Sequence, residues 1–164
     1  MSFILTKATG EEHFELIEKN AEIIWNEHYG KILEKEQIDY MLDKFQSKPA
    51  MKNQISNNGY EYYLIENDGN CGYLAIKKEE EKLFLSKLYL LKEARGKGIS
   101  RKVFSFIKDY AIKNNLKSIY LTVNKNNFSS IEVYKHFGFE IIREEKADIG
   151  NGFFMDDYIM EFCV

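Results

Sequence analysis

The stretch Leu88-Tyr89-Leu90-Leu91-Lys92-Glu93-Ala94-Arg95-Gly96-Lys97-Gly98-Ile99-Ser100-Arg101 carries the densest chemical signal in the chain. A strand-like apolar run passes into a turn with two glycines, and a helical pattern begins at once. The first turn of a helix leaves main-chain N–H groups without intrahelical acceptors, and the helix dipole puts partial positive charge at the same point. Arg95, Lys97 and Arg101 add whole charges. Such a turn is expected to hold a phosphate or pyrophosphate.

Two familiar nucleotide turns do not fit. A P-loop needs a glycine five positions before its Gly-Lys pair and a Ser/Thr after the lysine. Those places hold Leu91 and Gly98. The dinucleotide fingerprint needs a third glycine three positions after the second, and Arg101 stands there. An ordinary strand–helix turn that needs glycine geometry stays open as the bland reading.

The surrounding elements follow from periodicity. Residues 3–8 read as a strand. Thr9-Gly10-Glu11-Glu12 reads as a capping box with Thr9 as cap. Phe14, Ile17, Ala21, Ile24, Trp25 and His28 follow at helical spacing, and Gly30 ends that helix. A second helix is expected over about 34–45, broken at Ser47-Lys48-Pro49, and a short third over 50–58. Residues 60–66, 71–77 and 82–91 read as strands, joined by a hairpin turn at Asn67-Asp68-Gly69-Asn70 and a charged turn at Lys78–Glu81. A helix covers 98–114. The uncharged run 118–123 reads as a central strand. A helix at 127–137 and a hairpin of 139–149 with 153–162 complete the order. The helix at 98–114 lets its flanking strands lie parallel. The expected fold is α/β (α+β), one domain over 1–164, with a mixed, mostly antiparallel sheet and helices on both faces.

Composition sets outer bounds. The net charge of −3 argues against nucleic acid as a partner. No apolar run approaches the ~20 residues of a membrane span, and no basic leader precedes an apolar stretch at the N-terminus. Cys71 and Cys163 form neither a disulfide framework nor a metal cluster, so no metal is expected and a cytoplasmic location with reduced thiols is the default. Lys and Arg outnumber Asp and Glu eight to two over residues 92–117, whereas acids lead seven to two over 138–164 and ten to seven over 1–60. That asymmetry fits an anionic cofactor on the glycine turn and a cationic acceptor elsewhere; a solvated helix face explains the basic cluster equally simply.

A second motif lies downstream: Asn127, Ser130, Tyr134, Gly138 and Phe139. With Arg95, Gly98 and Ser100 it resembles the GNAT superfamily of N-acetyltransferases. That family's turn reads Gln/Arg-x-x-Gly-x-Gly/Ala, and its later signature reads Asn-x-x-Ala-x-x-x-Tyr-x-x-x-Gly-Phe. Ser100 and Ser130 depart from the pattern, but both are small. The resemblance is specific over 82–139, and the order of elements agrees over the whole length.

The resemblance implies a GNAT-like sheet with a splayed parallel strand pair, acetyl-CoA as cofactor and direct transfer of acetyl to a primary amine in a ternary complex. It implies that backbone groups of Leu88, Tyr89 and Leu90 hold the pantetheine arm, with an N–H near Leu90 polarising the thioester carbonyl, and that the N–H groups of Arg95, Gly96, Lys97, Gly98, Ile99, Ser100 and Arg101 hold the pyrophosphate. Tyr134 becomes the general acid toward the departing sulfur; packing beside Ile131 and Phe137 is its alternative role. Asn127 bonds the arm or caps its helix. Glu27, His28, Asp156 and Asp157 are candidates to take the amine's proton, each with a structural alternative. Trp25 and Tyr29 are candidates to line the acceptor pocket, because the family places its first helices there. Cys71, in an apolar strand, reads as a core thiol rather than an acyl carrier. The acceptor is expected to be a small amine, a polyamine or a peptide amine. The segment 150–158 is loosely similar to bacterial small-amine members. A homodimer through the last strands is an open possibility. Two rival functions share the fold and the turn: a non-catalytic acyl-CoA sensor and a nucleotide-binding regulator.

Overall fold

The computed structural model describes residues 3–164. Its strands are β1 (Phe3–Lys7), β2 (Tyr60–Asn67), β3 (Asn70–Lys78), β4 (Lys82–Leu90), β5 (Ser118–Asn124), β6 (Glu140–Gly150) and β7 (Phe153–Cys163). Its helices are α1 (Glu11–Tyr29), α2 (Lys35–Gln46), α3 (Lys48–Asn58), α4 (Ile99–Lys113) and α5 (Phe128–His136). The strands form a seven-stranded sheet in the order β1-β2-β3-β4-β5-β7-β6. Pairs β1/β2, β2/β3, β5/β7 and β6/β7 are antiparallel, and β4/β5 is parallel. The sheet is thus mixed and mostly antiparallel, as the element order predicts.

The molecule divides into two compact units that interleave along the chain. The first takes the residues up to Lys77 together with Ser86–Ser105; the second takes Lys78–Leu85 and Phe106–Val164.

In the first unit, α1 buries Phe14, Ile17, Ala21, Ile24 and Trp25, the stripe that the spacing predicts. Its start differs from expectation. Gly10, not Thr9, is the N-cap. The imidazole of His13 accepts the N–H groups of Thr9 and Gly10 at 3.0 and 3.1 Å, the task expected of Glu12. Gly30 ends α1 in a right-handed conformation, and the chain closes a further turn onto the Tyr29 carbonyl. Ser47 ends α2 and caps α3, its hydroxyl accepting the Ala50 N–H, so α3 begins at Lys48. β3 is buried over Cys71–Ile76, which makes Cys71 a core thiol. Gly72 has φ +151°, and a Cβ there would stand 2.1 Å from the Tyr89 carbonyl oxygen. Glycine is what lets β3 and β4 approach at that point.

In the second unit, β5 lies between β4 and β7, with Ile119, Leu121 and Val123 buried. The parallel register with β4 runs from Lys82↔Ser118 to Phe84↔Tyr120, while the antiparallel register with β7 runs on to Asn124↔Asp157. After α5, Gly138 takes φ +103°, and the Phe139 N–H turns back to the Tyr134 carbonyl at 3.0 Å. Phe139 is thereby driven into the core, against Tyr134 and Phe162. The Gly-Phe pair of the motif is thus a helix stop with a buried anchor.

Candidate active site

The glycine turn is built in the first unit. β4 ends at Leu90, a single 3-10 turn follows over Lys92–Ala94, and the chain then crosses Arg95–Gly98 into α4. Sequence reading expects no such intervening turn. Gly96 and Gly98 have φ +76° and +75°, the left-handed region. Neither would-be Cβ meets any atom within 4 Å. Ile99 and Val103 are buried and root the helix, while Arg95, Gly96, Lys97, Gly98 and Arg101 are exposed. The turn is an open cradle at the start of a 15-residue helix. Among the described residues, Lys97 and Arg101 have no carboxylate at ion-pair distance.

Arg95 behaves differently. Its Nε donates to the Leu90 carbonyl at 3.2 Å, and its guanidinium pairs with Glu27 at 3.2 Å. The arginine ties the turn back to the end of β4 and to α1, and its charge is already matched.

Three of the four first-helix candidates, Trp25, His28 and Tyr29, gather around Tyr89 of β4. Trp25, buried, donates from Nε1 to the Tyr73 hydroxyl at 3.0 Å. The hydroxyls of Tyr29 and Tyr89 share a 3.0 Å hydrogen bond. Tyr89 also receives the edges of Trp25 and His28, with ring centroids 5.8 and 5.9 Å away. Burial lowers the His28 pKa, the Arg95 cation lowers it further, and Glu27 opposes both. The imidazole is thus neutral near pH 7. Glu27 is occupied by Arg95.

A buried polar chain continues from this cluster, and sequence reading missed it. The Tyr73 hydroxyl donates to Gln46 Oε1, Gln46 Nε2 donates to the Tyr62 hydroxyl, and that hydroxyl donates to Gln54 Oε1. Burial raises the pKa of both tyrosines, so their hydroxyls stay protonated. Gln46 adjoins the apolar stripe of α2 but carries no sequence signal of its own. The inward tyrosines on β2 and β3 were the available clue.

In the second unit, Asn127 is buried at the head of α5. Its side chain accepts the Ser130 N–H at 3.3 Å, so its capping role is realised. Tyr134 is half-buried on α5 and meets Phe139 edge-on at 5.5 Å. Asp156 pairs with Lys125 at 3.1 Å, and the same ammonium reaches Glu144 at 2.7 Å. Asp157 stands opposite Asn124 on one side and Glu145 on the other. One of its carboxylate oxygens is buried without a hydrogen-bond partner. Burial, with the Asp156 and Glu145 charges, pushes its pKa up to about 6. Such a carboxylate is ionised at neutral pH yet basic enough to take a proton.

Among the described residues, no group of three or more His, Cys, Asp or Glu could hold a metal ion, and no helix is long and apolar enough to cross a membrane.

Comparison with known proteins identifies the family and the fold. A probable N-acetyltransferase (san) of Drosophila melanogaster is 39% identical over 101 residues, covering 61% of this chain and 54% of that protein. The chain spans about half the length of the curated relatives it matches. The PaiA N-acetyltransferase of Thermoplasma acidophilum, solved in complex with coenzyme A, superposes with a TM-score of 0.82 at 23% identity, over 100% of both chains. The spermidine/spermine N-acetyltransferase SpeG of Vibrio cholerae, solved with manganese ions, gives a TM-score of 0.66 at 18% identity, over 98% of this chain and 92% of that one. Residues 17–139, which hold both the glycine turn and the Tyr134 helix, match the acetyltransferase (GNAT) family, and the chain belongs to that family.

Proposed function

We propose that the chain is an acetyl-CoA-dependent N-acetyltransferase that acts on a primary amine by direct transfer in a ternary complex. The observation that carries this reading is the cradle at Arg95–Gly98. Two glycines there hold φ near +75°, open space faces them, and the first turn of α4 follows. These features fit a diphosphate, because N–H groups and a helix dipole converge where no side chain intrudes. Lys97 and Arg101, free of ion pairs among the described residues, would add charge. The curated N-acetyltransferases that share sequence with the chain support the same activity.

The backbone of Leu88, Tyr89 and Leu90 would hold the pantetheine arm, since the ladder of β4 with β5 ends at Phe84. When bound, the coenzyme supplies an activated acetyl thioester. The N–H of Leu90 would donate to the thioester carbonyl and favour the charge that develops there. Tyr134 would donate its phenolic proton to the departing sulfur. Asp157 would take the proton of the incoming ammonium; Asp156 and Glu27 are committed to Lys125 and Arg95. Trp25, His28 and Tyr29, gathered on Tyr89, would line the approach of the acceptor, which is a small amine, a polyamine or a peptide amine.

Two measurements test the reading. Calorimetry should detect coenzyme A binding to the folded protein, and thiol release should appear with a member of an amine panel. Tyr134→Phe should leave coenzyme affinity unchanged and lower turnover about a hundredfold, the low end for general acids, because a thiol of pKa ~8.5 already leaves well. Full turnover in that variant at every pH removes Tyr134 from the mechanism. An absence of binding heat removes the function.

A further inference from the structure

Two lysines of the first unit end beside one aromatic ring. Lys77 on β3 stands opposite Tyr60 on β2, and its ammonium lies 5.4 Å from that ring's centroid. Lys87 on β4 reaches the same ring at 5.9 Å and the Tyr62 ring at 6.0 Å. The Lys87 ammonium also donates to Ser86 Oγ at 2.9 Å. Among the described residues, no carboxylate lies within ion-pair distance of either lysine. Other cations of the first unit do find one: Lys7 pairs with Glu61, Lys48 with Glu15 and Arg95 with Glu27. Burial pushes the Lys87 ammonium down to about 8. A cation withdrawn from water without a counter-ion is costly, and an incoming anion is what relieves it.

The position of this pair gives the anion a source. Side chains two apart on a strand share a face, about 7 Å from each other. Lys87 is two residues before Tyr89, and the Tyr89 ring meets Tyr73, Trp25 and His28 on the face that Lys87 shares with Tyr62. An acceptor whose amine reached the Tyr89 end could extend along this face toward Lys87.

We propose that Lys87 and Lys77, beside Tyr60, form a subsite for a carboxylate carried by the acceptor, so that the preferred substrate is an amino acid-like amine. The proposal rests on the N-acetyltransferase reading and narrows it. It runs against the cationic acceptor that the acidic chain ends suggest.

The test uses the full chain loaded with coenzyme A for binding and with acetyl-CoA for turnover. Linear amino acids with a terminal amine, from glycine to aminohexanoate, are compared with their carboxamides and with spermidine, by calorimetry and by thiol release. The expected result is tighter binding and lower KM for a carboxylate of intermediate length than for its carboxamide. Lys87→Met should raise that KM about ten- to a hundredfold, the range of a charge-assisted hydrogen bond. It should leave the carboxamide's KM unchanged, and Lys87→Arg should restore most of the loss. Equal binding of carboxylate and carboxamide, preference for spermidine, or a Lys87→Met defect shared by both acceptor types overturns the subsite. If coenzyme A binds and thiol appears, only the subsite falls. If coenzyme A does not bind at all, the function falls and takes the subsite with it.

Discussion

Two glycine substitutions separate backbone strain from ligand binding at the cradle. Gly98 and Gly59 share φ +75°, and a Cβ at either would meet nothing within 4 Å. Gly59 is the C-cap of α3, with its N–H bonded to the Gln54 carbonyl, and no role in binding is assigned to it. An L-residue in the left-handed region costs about 1–2 kcal/mol. Gly98→Ala and Gly59→Ala should therefore lose the same stability, lowering Tm by about 2–8 °C at this chain length. Only Gly98→Ala puts a methyl group where the diphosphate would approach the main chain. Loss or misalignment of one charge-assisted N–H bond is worth about 1.5–3 kcal/mol, or roughly ten- to a hundredfold in Kd. Thermal melts give the first quantity and titration calorimetry with coenzyme A the second. If Gly98→Ala matches Gly59→Ala in Tm and still binds coenzyme A like the parent chain, the glycine serves the turn alone and the reasoning fails.

Two further outcomes follow from the polar groups. Asp157 is raised to about 6 in the folded protein against 3.8 as a free side chain. Below both values it is protonated in either state and carries no penalty. As pH rises from about 4 through 6 the unfolded chain releases the proton more readily, so folding loses stability, and above about 6 the loss is complete. Asp157→Asn should hence raise Tm at pH 7.5 and leave it nearly unchanged at pH 4, while depressing turnover if the carboxylate takes the amine's proton; an equal Tm gain at both pH values contradicts the burial argument. Tyr73→Phe strips the partner from Trp25 Nε1 and Gln46 Oε1 at once. At about 1–3 kcal/mol per orphaned buried group, denaturant unfolding should register a loss near ~3 kcal/mol, and a loss under about 1 kcal/mol would mean that the chain of hydroxyls and amides repacks.

What the sequence made legible was local. Periodicity placed the helices and strands, because the 3.6- and two-residue repeats are written in consecutive residues. The uncharged run 118–123 announced a central strand, and β5 lies between β4 and β7. The glycines at 96 and 98 announced positive φ. The start of α1 was misread because the capping side chain is an imidazole and the cap is a glycine, which has no side chain to read. Other features are matters of tertiary pairing. Nothing near Gln46 in the sequence says that it will bridge two tyrosines from different strands. Lys87 looks like any strand lysine until Tyr60 and Tyr62 are placed beside it. Asp156 and Asp157 are adjacent and chemically identical in the sequence. The β-strand alternation gives one to Lys125 and leaves the other a buried, partnerless oxygen.

Arg95 shows how such pairing changes the meaning of a motif residue. Read from the sequence, it is a bare charge at the phosphate turn. In the fold its Nε holds the Leu90 carbonyl and its guanidinium holds Glu27. Both partners of the ion pair are well exposed, so the bridge itself adds at most about 1 kcal/mol to stability. Its consequence is geometric. Leu90 is the last residue of β4, Glu27 lies in the final turns of α1, and Gly96 is the next residue of the turn. One side chain thus fixes the exit of the strand, the end of the helix that carries His28 and Tyr29, and the entry to the cradle. A ligand that draws the guanidinium away from Glu27 would remove one tie on the end of α1 and leave the Tyr29–Tyr89 and Trp25–Tyr73 hydrogen bonds in place. The Arg95 cation that helps keep His28 neutral would move with it.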